Sequence, residues 1–323
     1  MDKSFSRRYP LNSAIAENPY WFLPVDDEGH ENYMPVGRGR PSSTLCAKHV
    51  GYLVCKNVEG HKDVVIKGVD CTGKVVAFHK HLWCKRALCP RCYIRGWSVR
   101  RARSIETRLA KGVELGFGKV EHVVVSPSVV DRVLSESVLR KKCRDALFDR
   151  GVLGGCMIFH GYRRDKKRDV LVWSPHYHVL GFILGGFDRC RECVHDREDC
   201  ASCSGFKGKE VRGYAKDGYL VKVLAERDTV FGTAFYQANH ATVRVGIKRF
   251  HCVTWFGVCG NRKFKSKELE TEVTCPACEG EMKRSVYVGK RHLIKDIGHP
   301  DYTAWFVEDE FDENGEPNFI DKG

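Results

Sequence analysis

Cysteine is the residue that most restricts what this chain can become. Sixteen of its 323 residues are cysteine, and many of them stand at short, repeated spacings. Cys190-x2-Cys193-x6-Cys200-x2-Cys203 forms paired knuckles whose thiolates match the spacing of a structural zinc site. So short a segment cannot bury a core, so its local fold depends on the metal. A second group, Cys84-x4-Cys89-x2-Cys92, needs a further ligand, and His81 is the first choice. His79 and Cys71 are the alternatives, and Cys46 or Cys55 can also contribute. A third group, Cys259, Cys275 and Cys278, is completed by Cys252 or His251. Cys143 and Cys156 fall in apolar helix and strand patterns and belong to the core. These spacings read as thiolate ligands for Zn²⁺ in a reducing compartment, not as disulfides.

The first thirty residues contain no apolar export segment, since Trp21, Phe22 and Leu23 are bracketed by Pro19 and Pro24. No apolar run is long enough to span a bilayer. The chain is therefore expected in the cytoplasm, without a membrane partner. Its formal net charge of +13 and pI near 9.0 suit a polyanion, because lysine and arginine displace the counterions condensed on a phosphate backbone.

Hydrophobic patterning divides the chain into five segments. Residues 1–45 read as a poorly ordered lead-in. Residues 46–115 are a zinc-binding region that ends in a basic helix from Tyr93 to about Ala110. Along that helix Ile94, Trp97, Ala102, Ile105 and Leu109 form an apolar stripe, and Arg95, Arg100, Arg101, Arg103 and Arg108 surround it. The first four of these arginines are candidate DNA contacts, and Lys207, Lys209 and Arg212 form a second possible cluster. Residues 116–260 alternate in the order β-α-β-β, insertion, β, α, β, with the cysteine-rich insertion at 188–212. That order predicts an α+β domain in which helices cover one face of an antiparallel sheet. A zinc-binding segment at 259–290 and an acidic tail at 300–323, expected to be disordered, complete the chain.

Chemistry concentrates in Ser174-Pro175-His176-Tyr177-His178-Val179-Leu180. Side chains two apart on a strand share a face, so His176 and His178 project together, about 7 Å apart, toward a site where one divalent ion can bind. Some sixty residues on, Phe235-Tyr236-Gln237-Ala238-Asn239-His240 reads as a helix. There Tyr236 and His240 share a face. Two imidazoles alone make a poor site for a hard metal, so a carboxylate or a further imidazole is expected.

The strand ending in Ser126-Pro127, the histidine pair in SPHYHVLGF and the YQANHATV helix occur in the order of three motifs of the HUH endonucleases. Over about Cys84 to Cys278 the chain resembles the rolling-circle replication initiators of archaeal plasmids and small viruses. The resemblance implies an HUH/RRM-like sheet and a catalytic Mn²⁺ or Mg²⁺ held by His176 and His178. It implies Tyr236 as a nucleophile that leaves a 5′-phosphotyrosine and a free 3′-OH. Asp169, just ahead of the histidine strand, is the expected third metal ligand, with Glu121 and His122 as alternatives. Where many of these proteins carry a lysine after the tyrosine, this chain has Asn239 and His240; His240 is expected to orient Tyr236 or to neutralise charge.

The implied partners are single-stranded origin DNA and a host polymerase. A host helicase is implied too, because no glycine-rich phosphate loop ending in Gly-Lys-Ser or Gly-Lys-Thr occurs. A single-tyrosine transposase or relaxase shares this chemistry. A non-catalytic, zinc-dependent DNA-binding regulator accounts for the cysteines and charge but leaves the histidine pair and the Tyr236 helix without a role.

Overall fold

A computed structural model of the chain describes residues 23–26, 32–41, 43–66, 68–183, 211–224, 229–247, 250–260, 274–289, 295–296 and 305–322. For 211–216, 295–296 and 305–308 only the backbone is described. The elements run β1 (Tyr33–Pro35), β2 (His49–Cys55), β3 (Val65–Ile66), β4 (Val69–Asp70) and β5 (Lys74–His81). After a π-helical turn at Tyr93–Ser98 come α1 (Val99–Glu114), β6 (Glu121–Ser126), α2 (Glu136–Asp149), β7 (Val152–Asp165) and β8 (Val170–Ile183). Then follow β9 (Val211–Lys216), β10 (Tyr219–Leu224), α3 (Val230–Asn239), β11 (Thr242–Arg244) and β12 (Val253–Gly257). The last strands are β13 (Lys283–Tyr287), β14 (Lys295–Asp296), β15 (Trp305–Asp309) and β16 (Phe319–Asp321). The architecture is α+β, and its sheet pairings are antiparallel.

Two compact units form. One draws on Pro19–Arg40 and Arg86–Glu268, the other on Pro41–Lys85 and Leu269–Gly323. The basic helix α1 thus belongs with the histidine sheet, not with the N-terminal cysteine region where the sequence reading put it.

The first unit is built on a six-stranded sheet in the order β12-β7-β8-β6-β10-β9. Its register sorts the side chains cleanly. Tyr177 lies opposite Val125 and Phe159, Val179 opposite Val123 and Met157, and Val221 and Val223 opposite Val125 and Val123. All eight are buried. They form one face, which α2 covers with Leu139, Cys143, Ala146 and Leu147. The Tyr177 hydroxyl donates to Glu136 Oε1 at 2.9 Å, which satisfies the phenol inside that layer.

The opposite face carries His122, His160, His176 and His178. It is covered by other helices, which corrects the expectation of helices on one face only. The ring of Phe182, on this side of β8, lies so close to α1 that a Cβ on Gly112 would meet it at 2.5 Å. Helix α3 reaches the same face through a hydrogen bond between Gln237 and His160. The apolar stripe of α1 explains its place, since Ala102, Ile105 and Leu109 are all fully buried. Thr229 caps α3 by accepting from Gly232 N–H at 2.9 Å.

Part of the N-terminal lead-in is structured as well. Strand β1 pairs with β11, and Val25 bridges to Leu171.

The second unit holds a six-stranded sheet in the order β14-β15-β5-β2-β13-β16. One face packs Cys55, Cys71, Val76, Phe78, Cys275 and Met282; the other packs Tyr52, Val54, Val75, Ala77 and Phe319. Residues 305–322 are therefore not a disordered tail. Strand β15 pairs with β5 and β16 with β13, and Ser285 Oγ donates to Asp321 Oδ1 at 2.7 Å. Phe319 supplies what the acidic composition conceals: its ring sits 5.4 Å from Tyr52 and 5.2 Å from Tyr287. Phe319→Ala should lower the stability of this unit by about 3–5 kcal/mol, the usual loss for a buried phenylalanine. A urea titration that leaves the unfolding midpoint unchanged would contradict the packing described.

Candidate functional site

His176 and His178 lie on β8, and the register places His160 of β7 directly opposite His176. One ring nitrogen from each of the three lies within 4.8 Å of the others, a group that can hold a metal ion. Ring centroids are 4.5 Å apart for His160 and His178, and 5.3 Å for each of the other two pairs. His160 was not singled out from the sequence. It stands in Met157-Ile158-Phe159-His160 with no spacing motif, and the only hint was a polar residue inside an apolar strand.

The proposed carboxylates do not join this group. Asp169 lies in the β7–β8 turn with φ +55°, where Arg164 Nε donates to its Oδ1 at 2.7 Å. Its place at the end of the hairpin keeps it from the sheet face. Glu121 pairs with Gly181 and so points to the α2 side. His122 does share the histidine face, but as a neighbour of one imidazole: its Nε2 is 2.9 Å from His178 Nδ1, and the two rings stack.

Hydrogen bonds decide which nitrogen of each ring carries a lone pair. A backbone carbonyl can only accept. His176 Nδ1–H therefore donates to Ser174 O at 2.7 Å and leaves Nε2 bare. His160 Nε2–H donates to Gln237 O at 3.0 Å and leaves Nδ1 bare. When His178 Nδ1–H donates to His122, the same holds for His178 Nε2. Anchoring one nitrogen so that the other can ligate is the usual support of a metal-bound histidine.

Burial holds all three imidazoles neutral, the form that binds metal. It lowers His176 to about 3, with the Arg163 charge adding to the effect. It also drives His160 and His178 well below the ordinary histidine value, and the neighbouring imidazoles reinforce it. Three imidazoles suit a borderline divalent ion such as Zn²⁺ best; of the two hard ions expected, Mn²⁺ takes nitrogen ligands more readily than Mg²⁺.

Helix α3 is fastened to this group at a β-bulge. The ladder between β7 and β8 shifts register between His160 and Tyr162. The bulge lets His160 bond to Gln237 O, while Gly161 N–H donates to Thr242 Oγ1 at 2.8 Å. The positive charge of a protonated His240 would be felt at His160. Tyr236 is half-buried, with its ring centroid 4.5 Å from that of His240. His240 Nδ1–H donates to Tyr236 O at 2.7 Å.

The arginines of the basic helix differ in exposure. Arg100 is exposed, while Arg95, Arg101 and Arg103 are half-buried; burial lowers the pKa of Arg103. Arg108 is structural, donating to Cys259 O at 2.7 Å and lying over the Trp255 ring.

His81, the ligand expected to join Cys84, stacks on Trp83, 5.2 Å away. Within the second unit Cys55, His61, Cys275 and Cys278 form one group whose ligand atoms lie within 4.8 Å of one another, which corrects the assignment of Cys252 and Cys259. Those two are buried elsewhere, their thiols pushed up by desolvation to about 12 and about 11. Cys55 enters because β2 pairs with β13, which follows the Cys275-x2-Cys278 knuckle.

The Cys55 and Cys278 sulfurs are 3.6 Å apart. A tetrahedral zinc with Zn–S bonds of about 2.3 Å has edges of about 3.8 Å, so the spacing fits. His61 Nε2 is 3.2 Å from Cys275 Sγ, and its Nδ1–H donates to Lys74 O at 2.7 Å. Burial pushes the Cys275 thiol up to about 12. At Cys278 burial acts in the same direction but is outweighed by hydrogen bonds, first from the Gly280 backbone, and the thiol falls below its ordinary value. This group can hold zinc. The paired knuckles Cys190, Cys193, Cys200 and Cys203 lie outside the described residues.

No protein-family model, no curated protein and no solved structure matches the chain.

Cys278→Ser should remove about one zinc per chain, the loss of one four-ligand site, and lower the melting temperature. Substituting cobalt for zinc in the wild type should give the thiolate charge-transfer band of a tetrahedral site, reduced in the variant. Unchanged metal content in Cys278→Ser would refute the four-ligand group.

Proposed function

We propose that the chain is an endonuclease of the HUH type that initiates rolling-circle replication by nicking one DNA strand. A single observation carries this reading: three neutral imidazoles on adjacent strands lie beneath a helix that presents a tyrosine next to a histidine. A zinc-dependent regulator would need neither the trio nor the helix tethered to it.

His160, His176 and His178 would hold a divalent ion, Mn²⁺ in preference to Mg²⁺ because it takes nitrogen donors more readily. Bound there, such an ion supplies Lewis-acid polarisation of the scissile phosphate. The Tyr236 oxygen attacks phosphorus, forming a tyrosine–phosphate bond as the bond to the 3′-oxygen breaks. His240 Nδ1–H is committed to the Tyr236 carbonyl, so Nε2 carries the lone pair able to take the phenol proton. The departing 3′-oxygen takes a proton from water and becomes the primer end. The phosphodiester energy is retained in the phosphotyrosine, so strand transfer needs no ATP. A host polymerase would extend the 3′-OH, and a host helicase would unwind the duplex.

The test is incubation with end-labelled single-stranded origin DNA and Mn²⁺, followed by a denaturing gel. A 5′-labelled fragment should run free and accept extension, and a 3′-labelled fragment should migrate with protein. Tyr236→Phe should abolish both products while binding DNA as before. His122→Ala, which removes the ring stacked on His178, should weaken Mn²⁺ activation by about 10–100-fold, as loss of a group supporting a metal ligand does. Protein attached to the 5′-labelled fragment would overturn the proposed chemistry.

A further inference from the structure

Two arginines beside the histidine group have no task in the account so far. Arg163 lies on β7 just past the bulge, with Nη2 2.8 Å from Ser126 Oγ and Nε 3.3 Å from His176 Nδ1. The second contact is unrequited: His176 Nδ1 gives its proton to Ser174 O and has no lone pair for Arg163. Arg132 sits on the 3₁₀ turn Val130–Val133 after β6, and its buried Nε has no acceptor among the described residues.

Other arginines nearby are neutralised. Arg164 pairs with Asp169, Arg168 with Asp165 and Asp26, and Arg140 with Glu136. Among the described residues no carboxylate pairs with Arg163 or Arg132. Arg163, set against a ring nitrogen already committed to Ser174, and Arg132, whose Nε has no acceptor among the described residues, hold donors that an anion would satisfy.

We infer that Arg163 and Arg132 form a phosphodiester-binding subsite that seats a single-stranded polynucleotide against the histidine group. The inference rests on the nuclease reading for its purpose, but its geometry stands apart from it. The planar fork of arginine suits a phosphate, with two parallel N–H donors facing two oxygens. A polymer is favoured over a free anion by the surroundings of Arg132. Val129, Val130 and Val133 are 72%, 79% and 82% exposed on the same turn. Apolar surface bordering a cationic seat matches a ligand that carries sugars and bases between its phosphates. Arg163 is thus a positioning residue, which sets the scissile strand in register with Tyr236.

The experiment measures binding of a fluorescent single-stranded oligonucleotide by anisotropy across a salt series, in EDTA so that neither metal ion nor cleavage contributes. Arg163→Gln and Arg132→Gln should each reduce the slope of log affinity against log salt by about 0.7, the share of one single-strand phosphate contact. The double variant should lose about 1.4. Arg168→Gln, which removes a guanidinium already paired with carboxylates, should leave the slope as it is. Should Arg163→Gln fail to fold, Arg132→Gln on its surface turn supplies the same readout. An unchanged slope in a folded Arg132→Gln or double variant overturns the subsite. So does inorganic phosphate that displaces the oligonucleotide at equal phosphate concentration, since it would mean a free-anion site. Wild-type protein that shows the expected slopes yet never nicks DNA with Mn²⁺ would sink the nuclease reading and leave the subsite standing. Nicking that persists while the slopes do not move would do the reverse.

Discussion

The bulge at His160–Tyr162 is the joint on which the site depends. A regular β-ladder would commit the Gly161 N–H to the neighbouring strand. Here it donates to Thr242, one step along from the His160 bond to Gln237. These bonds fasten both ends of the α3 C-terminal turn to the centre of the sheet, and Tyr236 lies in that turn. Gly161 is needed there because a Cβ would meet the Trp173 ring at 2.6 Å and the Thr242 methyl at 3.0 Å. Bulges recur next to functional sites for this reason: they break pairing locally and re-aim what the strand carries.

Electrostatics follows from that placement. Laying helices over the histidine face desolvates the imidazoles, and a desolvated imidazole is a neutral one. The same burial that would penalise charge on His160, His176 and His178 therefore prepares them as ligands. It also leaves the nearby positive charge on Arg163 and Arg132, outside the trio, where it can meet an anion. The second unit solves a different problem. Its cysteine–histidine group joins β2, the turn that follows it and the knuckle before β13, stretches of chain about two hundred residues apart in sequence. A metal there would hold together what a thin, single-sheet core holds weakly.

Much of the site could be read from the chain, and what could not has a common cause. The His176–His178 pair, the helix with Tyr236 and His240 four apart, and the stripe through Ala102, Ile105 and Leu109 are local patterns, set by the two-residue period of strands and the 3.6-residue period of helices. His160, Cys55 and His61 are brought in by register and long-range pairing, which no spacing records. The resemblance puts the third ligand just ahead of the histidine pair, at Asp169, yet a hairpin turn carries that residue to the far end. Cys259 lies close to Cys275 in sequence, yet strand pairing delivers Cys55 instead. Acidic composition suggested disorder after residue 300, yet Phe319 is buried against Tyr52 and Tyr287 on a strand paired with β13.

The central claim is that His160, His176 and His178 together are a metal centre, and anomalous X-ray diffraction at the manganese edge tests it most directly. Crystals equilibrated with Mn²⁺ should show one strong peak bounded by His160 Nδ1, His176 Nε2 and His178 Nε2, and His160→Ala should remove it. Saturating Mn²⁺ that leaves the trio empty, or that gathers only at carboxylates such as Asp169, would contradict the account.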